Sequence, residues 1–238
     1  VLRSSPALKS IQGDREFENL VRASAGRHAR VQRNSVAPPP LILKPGPPAA
    51  HLGTLFALHG NGSTAREEAH FWQPAVAQGW LLAMPGSSQA HWPGCQIWND
   101  YTRARHDVLA GWRQVTAGSA MPAGQMVAAG FSLGGQTALR MALDGSLGAD
   151  GFIGLAPYLP DLAGWGKLIR QRRRRDLRCA IMVGKHDPSF QNLQEVARLM
   201  QEDQATCQLL IVGSGDHRYP AAFGEALLRC LDMLRPAD

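Results

Sequence analysis

The sequence predicts an α/β domain, a mostly parallel sheet with helices on both faces, preceded by a helical arm. Three observations carry this expectation. From His51 onward, short apolar runs alternate with longer stretches of helical periodicity. The runs are apolar at consecutive positions rather than alternate ones, as strands covered on both faces require. Six prolines crowd Ala37–Ala50 and separate this regular part from a charged N-terminus with helical patterning.

Within Val1–Asn34, Leu8, Ile11, Phe17, Leu20 and Val21 recur near helical spacing, and Asp14 is placed to cap a helix over Arg15–Ser24. Its charge is high and its apolar stripe narrow, so the arm is expected to pack on the domain or on a second copy, giving a homodimer. In Ala37–Ala50 each proline removes a ladder donor, so the stretch reads as an extended linker with Leu41-Ile42-Leu43 as an edge strand. Residues 1–50 are thus arm and linker, and 51–238 the main domain. Strands are expected at Thr54–Leu58, Trp80–Met84, Gln125–Ala129, Gly151–Leu155, Cys179–Val183 and Gln208–Val212. Helices are expected at Thr64–Gln78, Thr102–Ala117, Leu133–Leu143, Asp161–Arg175, Pro188–Gln204 and Pro220–Leu234. In such sheets a ligand binds outside the carboxyl ends of the strands.

Composition narrows the class. With 238 residues, 45% hydrophobic and 18% charged, the chain can bury a sizeable core. No run approaches the ~18 apolar residues of a membrane span. The charged opening residues lack the apolar stretch of a secretory signal. Cys95, Cys179, Cys207 and Cys230 lie far apart with no C-x-x-C pair, which suits free thiols in a reducing, cytoplasmic setting and no metal site. The net charge of +6 resides in Lys167–Arg178, where seven cations accompany one anion. One run on one helix reads as a solvated face, with an anionic partner, substrate or membrane surface as the alternative. It lacks the spread of basic and aromatic residues of a nucleic-acid binder, so no nucleic acid partner is expected.

The chemistry concentrates at the strand ends. Gly130-Phe131-Ser132-Leu133-Gly134 joins an apolar strand to a helix. A serine between glycines on so tight a turn takes a strained backbone, and only glycine fits two residues to either side. Its hydroxyl then stands at the positive end of a helix, where developing negative charge is favoured. Upstream, Gly60 and Gly62 bracket Asn61 in the loop after the first main-domain strand. The backbone N–H groups of Asn61 and of Leu133, the residue after the serine, are the candidate oxyanion-hole donors. Gly184-Lys185-His186-Asp187-Pro188 follows a later strand, where Asp187 is either a plain helix cap or an acid. The last strand ends Gly213-Ser214-Gly215-Asp216-His217. Ser132, Asp187 and His217, each after a successive strand, stand in the order of a nucleophile, an orienting acid and a general base. Asp216, adjacent to His217, is the rival acid and should point elsewhere.

From about Thr54 to the C-terminus the chain resembles the α/β-hydrolases. It is most similar to the phospholipase/carboxylesterase group that includes the acyl-protein thioesterases. Leu58-His59-Gly60-Asn61-Gly62, Gly130-Phe131-Ser132-Leu133-Gly134-Gly135, Gly184-Lys185-His186-Asp187-Pro188 and Asp216-His217 carry the resemblance, and Ile97-Trp98-Asn99-Asp100 resembles that group's Trp-Phe-Asp stretch. The resemblance implies hydrolysis of carboxylic esters or thioesters through an acyl-serine without metal or organic cofactor. It gives Ser132, Asp187 and His217 the triad roles, and the amides of Asn61 and Leu133 the oxyanion role. Leu133 and Asn61 replace the Gln and Leu common in acyl-protein thioesterases, a departure that bears on thioester specificity rather than on the chemistry.

A long loop at Ser87–Tyr101 carries Trp92, Trp98 and Tyr101, expected either to wall a substrate pocket or to pack the loop onto the domain. The stretch Ala156–Gly166, with Pro157, Tyr158, Pro160 and Trp165, reads as a small partial cap, and the chain leaves no room for a large lid, so a small or medium ester is expected as the small-molecule partner. A thioesterase or peptidase using the same three side chains is the alternative, as is a non-catalytic binding protein on the same scaffold.

Overall fold

In the computed structural model, which describes residues 6–47, 51–92, 94–117 and 124–235, the chain divides into two compact units, Val1–Val36 and Ala37–Asp238. The first contains a 3-10 turn (Pro6–Ile11) and helix α1 (Arg15–Asn34). Asp14 caps α1 as the sequence predicts, its carboxylate accepting the Glu16 and Phe17 amides at 2.8 and 3.0 Å. The helix runs ten residues beyond Ser24, because the Arg- and Ala-rich continuation is helix-forming and contains no proline.

The second unit begins in the proline-rich stretch, not after it. Strand β1 (Leu41–Leu43) pairs antiparallel with β3 (Trp80–Met84) and forms one edge of the sheet, which brings residues from Ala37 into the main unit. The other strands are β2 (Gly53–Leu58), β6 (Gln125–Phe131), β7 (Gly151–Leu155), β8 (Arg178–Val183) and β9 (Thr206–Ile211). Their order is β1-β3-β2-β6-β7-β8-β9, and every pair after the first is parallel. Consecutive apolar residues are explained by β2, whose Leu55 and Ala57 face one core while Phe56 and Leu58 face the other. Helices α4 (Tyr101–Ala117), α5 (Ser132–Leu143), α6 (Leu162–Arg170) and α7 (Phe190–Glu202) cover the Phe56 side. Helices α2 (Ala65–Trp72), α3 (Pro74–Ala77) and α8 (Phe223–Leu234) cover the other. No described helix is long and apolar enough to cross a membrane.

Three local expectations change. The helix read over Thr64–Gln78 breaks at Pro74, which has no N–H to continue α2 and instead starts α3. The loop at Ser87–Tyr101 folds a hairpin of β4 (Ala90–Trp92) and β5 (Cys95–Gln96). The basic segment is not one solvated helix face. α6 stops at Arg170, and Arg172 turns inward, 4% exposed, to pair with Asp203 and donate to its carbonyl. Arg174 bridges Asp150 and Asp176 at 3.0 and 2.9 Å, and Arg175 also reaches Asp203. Arg178 donates to the Arg235 carbonyl. Much of the positive charge is therefore spent on structure.

Candidate active site

The carboxyl ends of β2, β6, β8 and β9 converge. At the end of β6, Ser132 has φ of 53°, a left-handed conformation that an L-residue adopts only under constraint. The constraint is close packing. A Cβ on Gly134 would stand 2.2 Å from the His59 carbonyl oxygen, and one on Gly130 would stand 2.6 Å from the Gly134 carbonyl carbon. The glycines therefore let β2 and α5 close on the turn. The Tyr158 amide, from the segment after β7, holds the Ser132 carbonyl at 3.1 Å.

His217 Nε2 lies 2.8 Å from Ser132 Oγ, and its Nδ1 lies 2.8 Å from Asp187 Oδ2. The Asp187 side chain is 1% exposed, and its other oxygen accepts the Ser189 amide at 2.8 Å and hydroxyl at 2.5 Å. A carboxylate occupied by these donors accepts from the imidazole, so Nδ1 carries the proton and Nε2 presents its lone pair to the serine hydroxyl. Asp216 points away, exposed and paired with Arg218 at 2.6 Å. The acid facing the imidazole is the one 30 residues upstream of it, not its neighbour.

Asn61 and Leu133 lie on the two segments flanking this serine. Leu133 is the second residue of α5, where an amide has no carbonyl of its own helix to meet. No hydrogen bond among the described residues engages either amide. The Asn61 side chain is occupied, accepting the Trp98 amide and donating to Asn99, both at 2.8 Å. The Gly62 amide donates to the Gln96 carbonyl at 2.8 Å, so the β4–β5 hairpin is fastened to this loop.

No family model matches the chain, and no curated protein matches it. Solved structures do. An uncharacterized protein from Bacillus cereus superposes with a TM-score of 0.71 at 22% identity, covering 98% of this chain and 74% of that one. Esterase PE8 gives 0.67 at 15% identity over 83% of this chain and 99% of that one. A thermophilic esterase from the planctomycete Thermogutta terrifontis, bound to butyrate, gives 0.60 at 14% over 85% and 94%. The chain has the α/β-hydrolase fold.

On this hydrolase scaffold the three aromatics of the Ser87–Tyr101 loop part company. Trp92 is 52% exposed, and its ring lies against Gly62, within 3.6 Å of where a Cβ would stand. Trp98 does not wall an open pocket. It is 2% exposed, and its indole N–H donates to the His59 carbonyl at 2.8 Å. Tyr101 is likewise held in packing, its hydroxyl donating to Asp144 at 3.1 Å under the Arg140 guanidinium, 3.8 Å from the ring centroid. Of the stretch Ala156–Gly166 read as a small partial cap, Trp165 is buried in the core, while Tyr158 is half exposed, two residues after the strained Ala156, with its amide on the Ser132 carbonyl. Ser189 and Glu68 were passed over by the sequence reading. Ser189 was legible as a hydroxyl two residues from the acid, whereas Glu68 carries no local signal. Among the described residues no three His, Cys, Asp or Glu side chains are grouped to hold a metal ion.

Two titratable groups that hydrogen-bond Gly60 are displaced by burial. His59 is lowered to about 4, because desolvation outweighs the bond from Nδ1 to the Gly60 carbonyl. Burial also raises the Glu68 carboxyl above its ordinary range, against its bonds from Tyr219 and Gly60.

Proposed function

We propose that this chain is a serine hydrolase that cleaves carboxylic esters of small or medium acyl groups through an acyl-serine intermediate. The observation that carries the reading is the continuous line from Ser132 Oγ through the imidazole to a buried carboxylate, 2.8 Å at each link. Ser132 Oγ attacks the ester carbonyl carbon as its proton passes to His217 Nε2, and Asp187 stabilises the imidazolium. The tetrahedral oxyanion forms opposite the Asn61 and Leu133 amides, each such donor contributing about 3 kcal/mol to the transition state. Collapse breaks the bond to the leaving oxygen, which takes the proton from His217, and the acyl group stays on Ser132. Water, deprotonated by His217, then attacks the acyl carbonyl, releasing the carboxylic acid and restoring the serine.

The small or medium acyl group is supported by two features. Trp92 is an exposed apolar surface beside the oxyanion loop. The structurally similar Thermogutta esterase has been solved with butyrate and with propionate bound. The test is labelling with a fluorophosphonate, wild type against Ser132→Ala, beside turnover of nitrophenyl esters of increasing acyl length. Labelling lost in the variant, with turnover that favours short chains, is expected. Labelling without ester turnover would move the reading to thioesters or peptides, and folded wild type that does not label would overturn it.

A further inference from the structure

Glu68, on α2, is 5% exposed, and the proposed chemistry gives it no step. Its oxygens accept the Gly60 amide at 2.9 and 3.0 Å, and Oε2 also accepts the Tyr219 hydroxyl at 2.6 Å. No ion pair to it is formed among the described residues. Proton directions in this cluster are determined. Trp72 Nε1 only donates, and it donates to the Tyr219 oxygen at 2.9 Å. The single Tyr219 proton therefore points at Glu68. The Gly60 N–H also points at Glu68. Both carboxyl oxygens thus face donors, an arrangement that suits the carboxylate.

The partners belong to two different parts of the site. Gly60 precedes Asn61 in the loop after β2, and Tyr219 follows His217 by two residues in the loop after β9. Three strands, β6, β7 and β8, separate β2 from β9 in the sheet, so strand pairing does not tie the loops together. Phe131 fills the space between them. Its ring centroid is 4.8 Å from Tyr219 and 5.0 Å from His217, and a Cβ on Gly60 would come within 2.6 Å of it. Tyr219 is stacked flat on Phe71, 3.9 Å away, so its hydroxyl cannot swing freely.

We infer that Glu68 is a positioning residue: as a carboxylate it latches the Gly60 loop to the Tyr219 loop, and so sets the spacing between His217 and the amides that face the oxyanion. The kinetic consequence rests on the serine-hydrolase reading, while the latch is a property of the folded chain. Besides Tyr219 from the base loop, the titratable or polar side chains facing Glu68 are Ser63 from the loop after β2 and Glu67 from its own helix, with uncharged Phe131 on the strand side. A proton on Glu68 would compete with the Gly60 and Tyr219 donors and turn the carboxyl towards the Ser63 hydroxyl oxygen, whose own hydrogen goes to Glu67. The latch therefore holds above the carboxyl's raised pKa and releases as pH falls through it.

The test uses the full chain with Glu68→Gln, Tyr219→Phe and the double variant. In Glu68→Gln one amide hydrogen must face either the Gly60 N–H or the Tyr219 hydroxyl. The expected result is a kcat lower by roughly 10- to 100-fold with KM little changed, since misplacement by about 1 Å acts on the transition state. Tyr219→Phe keeps the stacking and breaks the same latch, so the double variant should be no worse than the poorer single one. Losses that multiply, or Glu68→Gln within about twofold of wild type while wild type is active, would overturn the inference. A second readout does not need turnover. The Gly60 amide, followed by NMR against pH, should titrate above the ordinary glutamate range, move upward in Tyr219→Phe and go flat in Glu68→Gln. That pattern in a wild type that neither labels nor cleaves esters would sink the hydrolase reading and leave the latch standing. A Gly60 amide that ignores both substitutions would sink the latch alone. Should Glu68→Gln fail to fold, Tyr219→Phe carries both readouts.

Discussion

Replacing Asp187 by asparagine preserves the shape of the side chain and removes one acceptor. Three donors now converge on the carboxylate, the amide and hydroxyl of Ser189 on one oxygen and the imidazole on the other. An asparagine has a single carbonyl oxygen. The Ser189 amide cannot reverse its direction, so that oxygen stays with Ser189 and the side-chain NH2 faces His217 Nδ1. Nδ1 must then be the unprotonated nitrogen, which moves the ring proton to Nε2, opposite Ser132 Oγ. The imidazole can no longer accept the serine proton. In a serine-protease triad the equivalent change lowers kcat by roughly 10⁴-fold, about 5 kcal/mol in the barrier. The same magnitude is expected here, measured as kcat on a short nitrophenyl ester at neutral pH, with thermal unfolding as a control for folding. A folded Asp187→Asn enzyme within about tenfold of wild type would refute the proton assignment and with it the role given to Asp187.

Other expectations follow from single contacts. Gly134→Ala would drive a Cβ into the His59 and Leu58 carbonyl oxygens at 2.2 and 2.6 Å. Because both obstacles are backbone, the loss should reach the upper end of over-packing, about 3 kcal/mol, or roughly 6–12 °C in melting temperature. His59, held near 4 in the fold against an ordinary 6.5, makes stability pH-dependent. The unfolded chain binds this proton below 6.5 and the folded chain does not, so stability is full above 6.5 and falls by about 3 kcal/mol towards pH 4. Urea unfolding at pH 7 and pH 4.5 should show that slope in wild type and not in His59→Asn. Arg172→Met removes a buried guanidinium from Asp203 and its carbonyl. A loss of about 2–4 kcal/mol is expected, read by the same unfolding curves, because among the described residues the Asp203 carboxylate keeps only the exposed Arg175. Trp92→Ala should leave the melting temperature unchanged and lower kcat/KM roughly tenfold for acyl chains long enough to reach the indole.

What was legible in the sequence was what local chemistry dictates. The elbow needs glycine on both sides of Ser132, an acid must follow one strand and an imidazole a later one, and strands buried on both faces must be apolar throughout. The glycines are marked by their place beside Ser132, and Asp187 and His217, 30 residues apart, by standing each in the loop after a strand. The helix break at Pro74 was equally local and was missed because the apolar period continued through it. The basic segment was misread for a different reason. Whether Arg172 and Arg174 are solvated depends on Asp203 and Asp150, which lie 31 and 24 residues away.

By itself, then, the sequence determined the alternation of strands and helices, the parallel sheet, and which serine, acid and histidine stand at strand ends. Tertiary structure alone decided which aromatics remain open, with Trp98 sealed under His59 and Trp92 left beside Gly62. It alone gave Glu68 two partners, one 8 and one 151 residues away. The physical reason is the range of the interactions. Propensity, capping and backbone strain act within a few residues and leave a pattern along the chain. Burial and hydrogen-bond direction depend on what the fold brings alongside, and a glutamate in an exposed-looking Glu67-Glu68 pair carries no mark of the tyrosine that will close over it.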